Sequence, residues 1–280
     1  MRITMPPIAV SSMFFHEYSC RDIFSHVQAS GLDSMEFWIE TPDFWLRNCP
    51  VTEFLGIRQE FTGIRDITVH APILDLNPCS INPDVAALSI RYACESVRLA
   101  ERLGAGIITV HPGRRTAKRP PSKADHERFD RYIAALRESA RMHTIRISME
   151  NMEPVVNSLL CTPRGMRELL DREPWLSFTL DVSHALAGRP GDLDNYIRLC
   201  GNRLANVHLS RVDGKRVHLP LDNSPVMAGI VSALADAGYT GPLALEIDDL
   251  NFANTLSAQE KISILGADRA FIIRSLQESR

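Results

Sequence analysis

The stretch GIITVHPG, residues 106–113, is a short run of β-branched and apolar residues that ends in a histidine and is closed by Pro and Gly. Such a run between turn residues predicts a buried β-strand. Similar runs recur along the chain, and several of the segments between them have apolar residues at the spacing of amphipathic helices. The eight candidate strands are IAVSSMFF (8–15), SMEFWI (34–39), ITVHAP (67–72), GIITVHPG (106–113), IRISMENM (145–152), LSFTLDVS (176–183), LANVHLS (204–210) and PLALEID (242–248).

Regular alternation of strand and helix predicts parallel strands joined by helical crossovers. Helical spacing is clearest at 85–104, 128–142 and 229–239. Eight units give roughly 35 residues each, which suits a closed barrel, and a doubly wound open sheet is the alternative. The basic segment RRTAKRPPSK (114–123) falls between a strand and a helix, so it does not divide the chain. We therefore predict an α/β fold, a single (β/α)8 TIM barrel, with one domain over residues 1–280.

The composition excludes several classes of protein. A formal net charge of -3 argues against a chain held to nucleic acid or to an anionic membrane by its overall charge. The six cysteines form no C-x-x-C pair and no zinc-finger spacing, so we expect reduced thiols. The N-terminal MRITMPPIAV lacks a signal-peptide pattern, and no run is long enough for a membrane span. We expect a cytoplasmic protein without a membrane partner, and the oligomeric state stays open.

Six consecutive predicted strands, the third to the eighth, end in residues that can bind a metal ion. In a barrel the carboxyl ends of all strands meet on one face, so these residues become neighbours around a single mouth. Buried carboxylates and imidazoles are costly unless they are paired, protonated or bound to metal. We therefore predict a divalent-metal site, and mixed nitrogen and oxygen ligands favour Zn or Mn over Ca. The predicted ligands are His70, His111, Glu150, Asp181, His208 and Glu246.

Two further histidines lie close to this predicted mouth. His184 follows Asp181 within the same motif, LDVSHALAG, and His218 follows His208 in NVHLSRVDGKRVHLP. Each is a candidate additional metal ligand or substrate contact, and a solvated loop histidine is the other interpretation.

Basic residues are concentrated after the fourth and the seventh predicted strands. The functional interpretation is recognition of an anionic substrate at the mouth, and an ordinary solvated surface is the alternative. A phosphate group would need only two or three of these cations, whereas a nucleic acid would engage many. The arginines assigned to an anionic substrate are Arg114, Arg115, Arg211 and Arg216.

At these motifs the sequence resembles the xylose isomerase-like, endonuclease IV-like barrel superfamily, from about residue 8 to residue 275. TVHAP, LGAGIITVHPG, SMEN, LDVSHALAG, NVHLS, VHLP and LALEID occur in the order that the family has. In enzymes similar to D-tagatose 3-epimerase, the two matching glutamates also exchange protons with the sugar. The resemblance to those enzymes implies one Mn-like ion held by the residues matching Glu150, Asp181, His208 and Glu246.

Resemblance to endonuclease IV implies a different site at the same mouth. In enzymes similar to that nuclease, residues matching His70, His111 and Glu150 hold a second zinc ion. Residues matching His184 and His218 help to hold a third. This sequence has all five of these residues, so the resemblance alone does not choose between the two chemistries.

The sequence departs from both patterns at several positions. Arg216 stands where the nuclease group has an Asp for the third zinc, and a cation would repel a metal ion there. Arg211 and residues 222–224 replace an acidic residue and a Gly-Glu-Gly of the family. On the epimerase side, a Glu and a substrate-binding Arg of the family fall on Val156 and Gly214. We therefore expect at most two tightly bound ions and take no substrate from the resemblance.

Two functions from different classes follow. The first is a metal-dependent isomerase or epimerase of a sugar or sugar phosphate, in which Glu150 and Glu246 move a proton next to a carbonyl. The second is an endonuclease IV-type zinc phosphodiesterase acting on nucleic acid, or another metal-dependent hydrolase. A barrel without activity is disfavoured by the complete ligand set. The short loop after His70, with Ile73 and Leu74 as its only wedge residues, favours the isomerase, whose partner would be a small anionic sugar derivative.

Overall fold

Eight parallel strands close into a barrel in the computed structural model, which describes residues 5–278. Strand order around the barrel follows the chain, and the last strand pairs with the first. Closure excludes the open sheet and confirms the predicted (β/α)8 barrel and the existence of all eight strands, but the second half of the first predicted strand, Ser12–Phe15, is a 3-10 helix. The barrel strands are β1 (Ile8–Ser11), β2 (Ser34–Trp38), β3 (Asp66–His70), β4 (Ile107–Val110), β5 (Arg146–Glu150), β6 (Ser177–Asp181), β7 (Leu204–Leu209) and β10 (Leu243–Leu245). An antiparallel hairpin between the last two barrel strands contains β8 (Arg211–Asp213) and β9 (Arg216–Leu219).

Helices fill the segments between the barrel strands. They are α1 (Cys20–Ala29), α2 (Pro42–Trp45), α3 (Val51–Glu60), α4 (Pro83–Arg102), α5 (Lys123–Met142), α6 (Pro163–Arg172), α7 (Val182–Leu186), α8 (Asp192–Cys200), α9 (Pro225–Asp236) and α10 (Ala258–Glu278). Three short 3-10 helices add Ser12–Phe15, Gly201–Arg203 and Asp249–Asn251. Among residues 5–278, no helix has the length and apolar character needed to cross a membrane. All six cysteines are free thiols.

Local signals set the helix boundaries that bear on the mouth. The basic loop after β4 ends at Ser122, whose backbone N–H donates to the Asp125 carboxylate at 2.8 Å and begins α5. The basic segment 114–123, which is predicted to fall between a strand and a helix, therefore includes the first residue of α5. On the other side, α9 ends at Asp236, and Gly238 follows with a φ of 76°, a left-handed conformation that suits glycine.

The barrel strands are buried on both faces, as strands covered by helices outside and filled by side chains inside must be. Phe37, Ile108, Met149, Leu180 and Val207 are fully buried apolar residues. Burying each side chain of this kind stabilises the fold by about 1.5–3 kcal/mol.

Polar side chains alternate with these apolar residues along the same strands, because successive side chains point to opposite faces. Each polar residue stands two positions before the strand-end residue at the mouth. Thr179 Oγ1 donates to Ser148 Oγ at 2.7 Å, and Asn206 Nδ2 donates to Glu36 Oε1 at 2.9 Å. Thr109 Oγ1 also donates to Glu36 Oε1, at 3.1 Å. The barrel therefore contains a hydrogen-bonded polar layer directly beneath the strand ends.

Candidate metal centre

The structure brings the six predicted ligands together at the carboxyl-terminal mouth of the barrel. His70, Glu150 and Asp181 are the last residues of their strands. His111 and Glu246 directly follow β4 and β10, and His208 is the penultimate residue of β7. Five of the six residues are buried, and His111 is partly exposed.

The potential ligand atoms form three groups, and within each group they all lie within 4.8 Å of one another. Neighbouring groups share a carboxylate, so the three groups are contiguous. The central group comprises Glu150, Asp181, His208 and Glu246, the second His70, His111 and Glu150, and the third Asp181, His184 and His218. The two additional histidines predicted from the sequence thus lie at the same mouth.

Distances in the central group suit a shared cation. His208 Nδ1 lies 2.8 Å from Glu246 Oε2, 3.4 Å from Glu150 Oε1 and 4.0 Å from Asp181 Oδ2. Despite these short distances, His208 Nδ1 and one oxygen on each of the three carboxylates have no hydrogen-bond partner. Buried polar atoms left without partners destabilise a fold by about 1–3 kcal/mol each. A divalent ion in the central group would satisfy His208 Nδ1, Asp181 Oδ2 and Glu246 Oε2 together, so the residues present fit a metal.

Electrostatic coupling in the central group is strong. Burial alone would lower the pKa of His208, but the carboxylates of Glu246, Glu36 and Glu150 raise it well above its usual value. Burial would raise the pKa of Glu150, whereas His111 and His208 hold it well below its usual value. Burial raises the pKa of Asp181, and the neighbouring Glu246 and Glu150 add to that rise. Imidazoles and carboxylates therefore balance one another's charge here.

In His70 and His184, the Nδ1 atom of the ring contacts a backbone carbonyl oxygen. His70 Nδ1 contacts Ala71 O at 2.8 Å, and the ring stacks on Trp38 with centroids 4.1 Å apart. His184 Nδ1 contacts Asn151 O at 2.9 Å. These contacts fix both rings and leave each Nε2 free to face a ligand.

Asn151 ties strand β5 to strand β6 beneath the third group. Its side-chain Nδ2 donates to Asp181 O at 3.0 Å, and Asp181 N donates to its Oδ1 at 2.8 Å. The SMEN motif thus contains one candidate ligand, Glu150, and one residue, Asn151, that positions Asp181 and His184.

Glu36 is the site residue that sequence reasoning missed. It lies within β2, is fully buried, and its Oε2 lies 2.8 Å from Nε2 of His208. This places a carboxylate on the ring nitrogen opposite to the one that faces the central group, an arrangement typical of metal-binding histidines. The available signal was the single charged residue within the predicted strand SMEFWI.

The third group includes His218, which lies two residues after Arg216, the position where the sequence departs from the nuclease pattern. His218 on β9 adopts a φ of 57° and places its Nδ1 3.9 Å from Asp181 Oδ2. Arg216 is exposed, and its guanidinium contacts Asp213 Oδ2 at 2.7 Å. The limit of two tightly bound ions therefore stays a prediction.

A cavity of about 270 Å³ opens above the central group. Glu150 and Glu246 both line it, together with His111, His184 and His218. The remaining wall is largely apolar and includes Met13, Trp38, Ile73, Met152 and Ile247. This volume is slightly below the range of about 300–1,000 Å³ that is usual for ligand pockets, which indicates a small molecule.

The structure does not bring the four arginines assigned to an anionic substrate together at this cavity. Arg114 lines it, but the other three do not. Arg115 donates to Pro120 O at 2.6 Å, Arg211 donates to Pro220 O at 3.1 Å, and Arg216 pairs with Asp213. These three side chains are committed to nearby carbonyl and carboxylate oxygens, which the sequence pattern did not reveal.

Comparison with known proteins agrees with this architecture. The sequence profile of the xylose isomerase-like TIM barrel family matches residues 24–267. The uncharacterized protein MJ1188 of Methanocaldococcus jannaschii is 33% identical over 271 residues, covering 96% of this chain and 98% of the relative. The uncharacterized protein Rv0498 of Mycobacterium tuberculosis is 28% identical over 234 residues, covering 73% of this chain and 76% of the relative.

Solved structures with the same fold include several sugar epimerases. A D-tagatose 3-epimerase-like protein superposes with a TM-score of 0.77 at 21% identity, covering 97% of this chain and 98% of its own. D-allulose 3-epimerase from Methylomonas sp. superposes with a TM-score of 0.78 at 17% identity, covering 99% of this chain and 100% of its own. At these identities the likeness shows the fold.

Proposed function

The chain belongs to the xylose isomerase-like TIM barrel family, and from this premise we propose that it is a divalent-metal-dependent isomerase or epimerase of a small sugar derivative. The single observation that carries the proposal is the placement of Glu150 and Glu246. Both carboxylates are buried, both line the same small cavity, and each has one oxygen without a hydrogen-bond partner. Two such carboxylates suit proton transfer next to a carbonyl, since one removes the proton while the other returns it.

We propose Glu150, Asp181, His208 and Glu246 as the central metal ligands, with Zn or Mn as the ion. A bound divalent ion would act as a Lewis acid that polarises a substrate carbonyl and acidifies the neighbouring C–H. Within the chain, Glu150 and Glu246 would accept and donate the proton. Trp38, Met152 and Ile247 would exclude water from the cavity, and Arg114 would attract an anionic group on the substrate.

Structural neighbours support a sugar substrate. They include a D-tagatose 3-epimerase-like protein, an L-ribulose 3-epimerase and a D-allulose 3-epimerase, the last of them in complex with D-allulose. The cavity size agrees with a ligand of this class. We also propose that the barrel forms one domain over the whole chain, because its last strand pairs with its first.

The test is hydrogen exchange on the substrate in heavy water, with the metal-loaded protein and a panel of ketoses and sugar phosphates. Wild-type protein should introduce deuterium at the carbon next to a carbonyl. Glu150→Gln and Glu246→Gln should each suppress exchange by at least a hundredfold, within the range that general acid–base groups contribute. Because both residues are also proposed ligands, bound metal is measured in each variant by elemental analysis.

Glu173→Gln is a matched control, because Glu173 is a buried glutamate that pairs with Arg137 away from the mouth. This variant should retain exchange. Exchange that persists at the wild-type rate in both Glu150→Gln and Glu246→Gln would refute the roles assigned to these carboxylates.

A second candidate function is hydrolysis of a phosphate ester. The observation that favours it is the pair of outer groups, because His70, His111, His184 and His218 extend the site beyond the central four ligands. Multinuclear metal sites activate water and stabilise the leaving oxygen in hydrolases of this kind. Incision of a DNA duplex at an abasic site, with a steep loss of activity as salt rises, would establish this function in place of the first.

A further inference from the structure

A second chamber of about 230 Å³ opens from the mouth beside the central group. The two cavities share five lining residues, so a molecule bound at the cluster can extend into the chamber. The shared residues are Ile73, His111, Arg114, Met152 and His184.

Small residues on helix α4 make room for this chamber. Ser89 and Ala93 line one side, and the buried ring of Tyr132 on α5 lines another. Leu76 and Pro78, in the loop after β3, and Val155, in the loop after β5, add apolar surface. The chamber therefore lies between helices and loops, outside the ring of strand ends.

Several polar groups in the walls are already bonded within the protein, while the charged side chains of Arg114 and Glu153 also line the chamber. Asn77 Nδ2 donates to Arg114 O at 2.9 Å, and Asn77 Oδ1 accepts from Arg114 N at 3.0 Å. Ser89 Oγ donates to Val85 O at 2.7 Å, and Ser158 Oγ donates to Glu153 O at 2.7 Å. Because Asn77, Ser89 and Ser158 are engaged in this way, the face formed by Leu76, Pro78, Ala93, Tyr132 and Val155 offers apolar contacts to a ligand.

We propose that the chamber binds an apolar, ring-sized group on a substrate whose carbohydrate part lies at the central group. This inference rests on the proposed function and names its substrate class, a sugar carrying an aromatic or aliphatic substituent. An apolar cavity of about 150 Å³ is large enough to bind benzene, so a chamber of about 230 Å³ accommodates one ring with its linkage. Its position past His111 and His184 sets the substituent on the β4 and β5 side of the mouth.

The test compares two glucosides that share a pyranose and differ in the substituent. Binding of methyl β-D-glucopyranoside and phenyl β-D-glucopyranoside to the zinc-loaded full-length protein is measured by calorimetry. The phenyl glucoside should bind at least tenfold more tightly than the methyl glucoside, because its ring removes apolar surface from water. Equal affinities, or no measurable binding of either glucoside, would overturn the proposal.

Two neighbouring valines offer a matched pair of variants. Val155 lines the chamber and is exposed enough to accept a larger side chain, whereas its exposed neighbour Val156 lines neither cavity. Val155→Phe should remove the preference for the phenyl glucoside, and Val156→Phe should keep it. Equal loss in both variants, or a preference that survives Val155→Phe, would show that the ring binds elsewhere.

This readout is separate from the proposed chemistry. A protein that prefers the phenyl glucoside but exchanges no substrate hydrogen in heavy water would keep the chamber and refute the isomerase function. Exchange on simple ketoses without any preference between the glucosides would keep the function and refute the chamber.

Discussion

Replacing Glu36 by Gln should weaken divalent-metal binding at the central group. The Glu36 carboxylate lies 2.8 Å from Nε2 of His208, and both side chains are fully buried. With His208 bound to metal through Nδ1, the proton on Nε2 faces this carboxylate, which fixes the ring and raises its basicity. Gln has nearly the same shape as Glu but carries no charge, so the change tests the charge with little change in packing.

Mutation of a residue that supports a metal ligand typically lowers metal affinity by about 10–100-fold, which equals about 1.4–2.7 kcal/mol of binding free energy. We expect the upper part of that range, because water cannot replace a contact that is fully buried. The polar layer also constrains the outcome, since Glu36 Oε1 accepts from Thr109 Oγ1 and Asn206 Nδ2. A Gln carbonyl oxygen can accept both bonds, so most of the layer should survive.

Zinc and manganese affinities would be measured by competition with a chelating dye, on wild type, Glu36→Gln and the remote control Glu173→Gln. Unfolding temperatures of the three metal-free proteins show whether a loss of affinity is a loss of folding. Equal dissociation constants for wild type and Glu36→Gln would refute the supporting role of this carboxylate. An equal loss of metal affinity in Glu173→Gln would show that the effect is not specific to Glu36.

Three further predictions follow from the structure. Zinc or manganese at a hundred times its dissociation constant should raise the free energy of unfolding by about 2.7 kcal/mol over the chelated protein, a shift of roughly 5 °C in a calorimetric scan, and coincident scans would contradict a bound metal. Arg114→Ala should weaken binding of a sugar phosphate more than binding of the free sugar, whereas Arg211→Ala should weaken neither in a calorimetric titration, since Arg211 does not line the cavity. Burial raises the pKa of Asp268 to about 6 from an ordinary value of 3.8, so the stability that Asp268 contributes is full below about pH 4 and declines as pH rises through 6. The stability of wild type relative to Asp268→Asn should therefore fall by up to about 3 kcal/mol between pH 4 and pH 7 in urea unfolding, and a constant difference would contradict the raised pKa.

The fold could be predicted from the sequence because barrel strands carry a strong local signal. Runs such as GIITVHPG are largely apolar on both faces and bounded by turn residues, a pattern typical of strands covered on both sides. Once eight such strands alternate with helices, closure places all their carboxyl ends together. The convergence of His70, Glu150 and Asp181 needed no further information.

Side-chain partners away from the strand ends could not be predicted in the same way. The sequence predicts that Arg115, Arg211 and Arg216 recognise an anionic substrate, and in the structure each contacts an oxygen atom within its own loop region. The sequence gives the positions of charges along a loop and not the direction of its backbone. The role of Glu36 could not be predicted because its partner, His208, lies far along the chain and contacts it only inside the closed barrel.

The charge balance of the site explains why buried carboxylates can gather here without arginine or lysine. Glu36, Glu150, Asp181 and Glu246 are all buried, and among residues 5–278 every ion-pair contact of these four carboxylates is to a histidine. An arginine or lysine would keep its positive charge and fill the space among the carboxylates. A histidine can lose its proton and become a metal ligand. The same residues can therefore hold either protons or a divalent ion, and metal binding should release protons and weaken as pH falls. A barrel whose purpose was structural would gain more from arginine or apolar side chains at these positions.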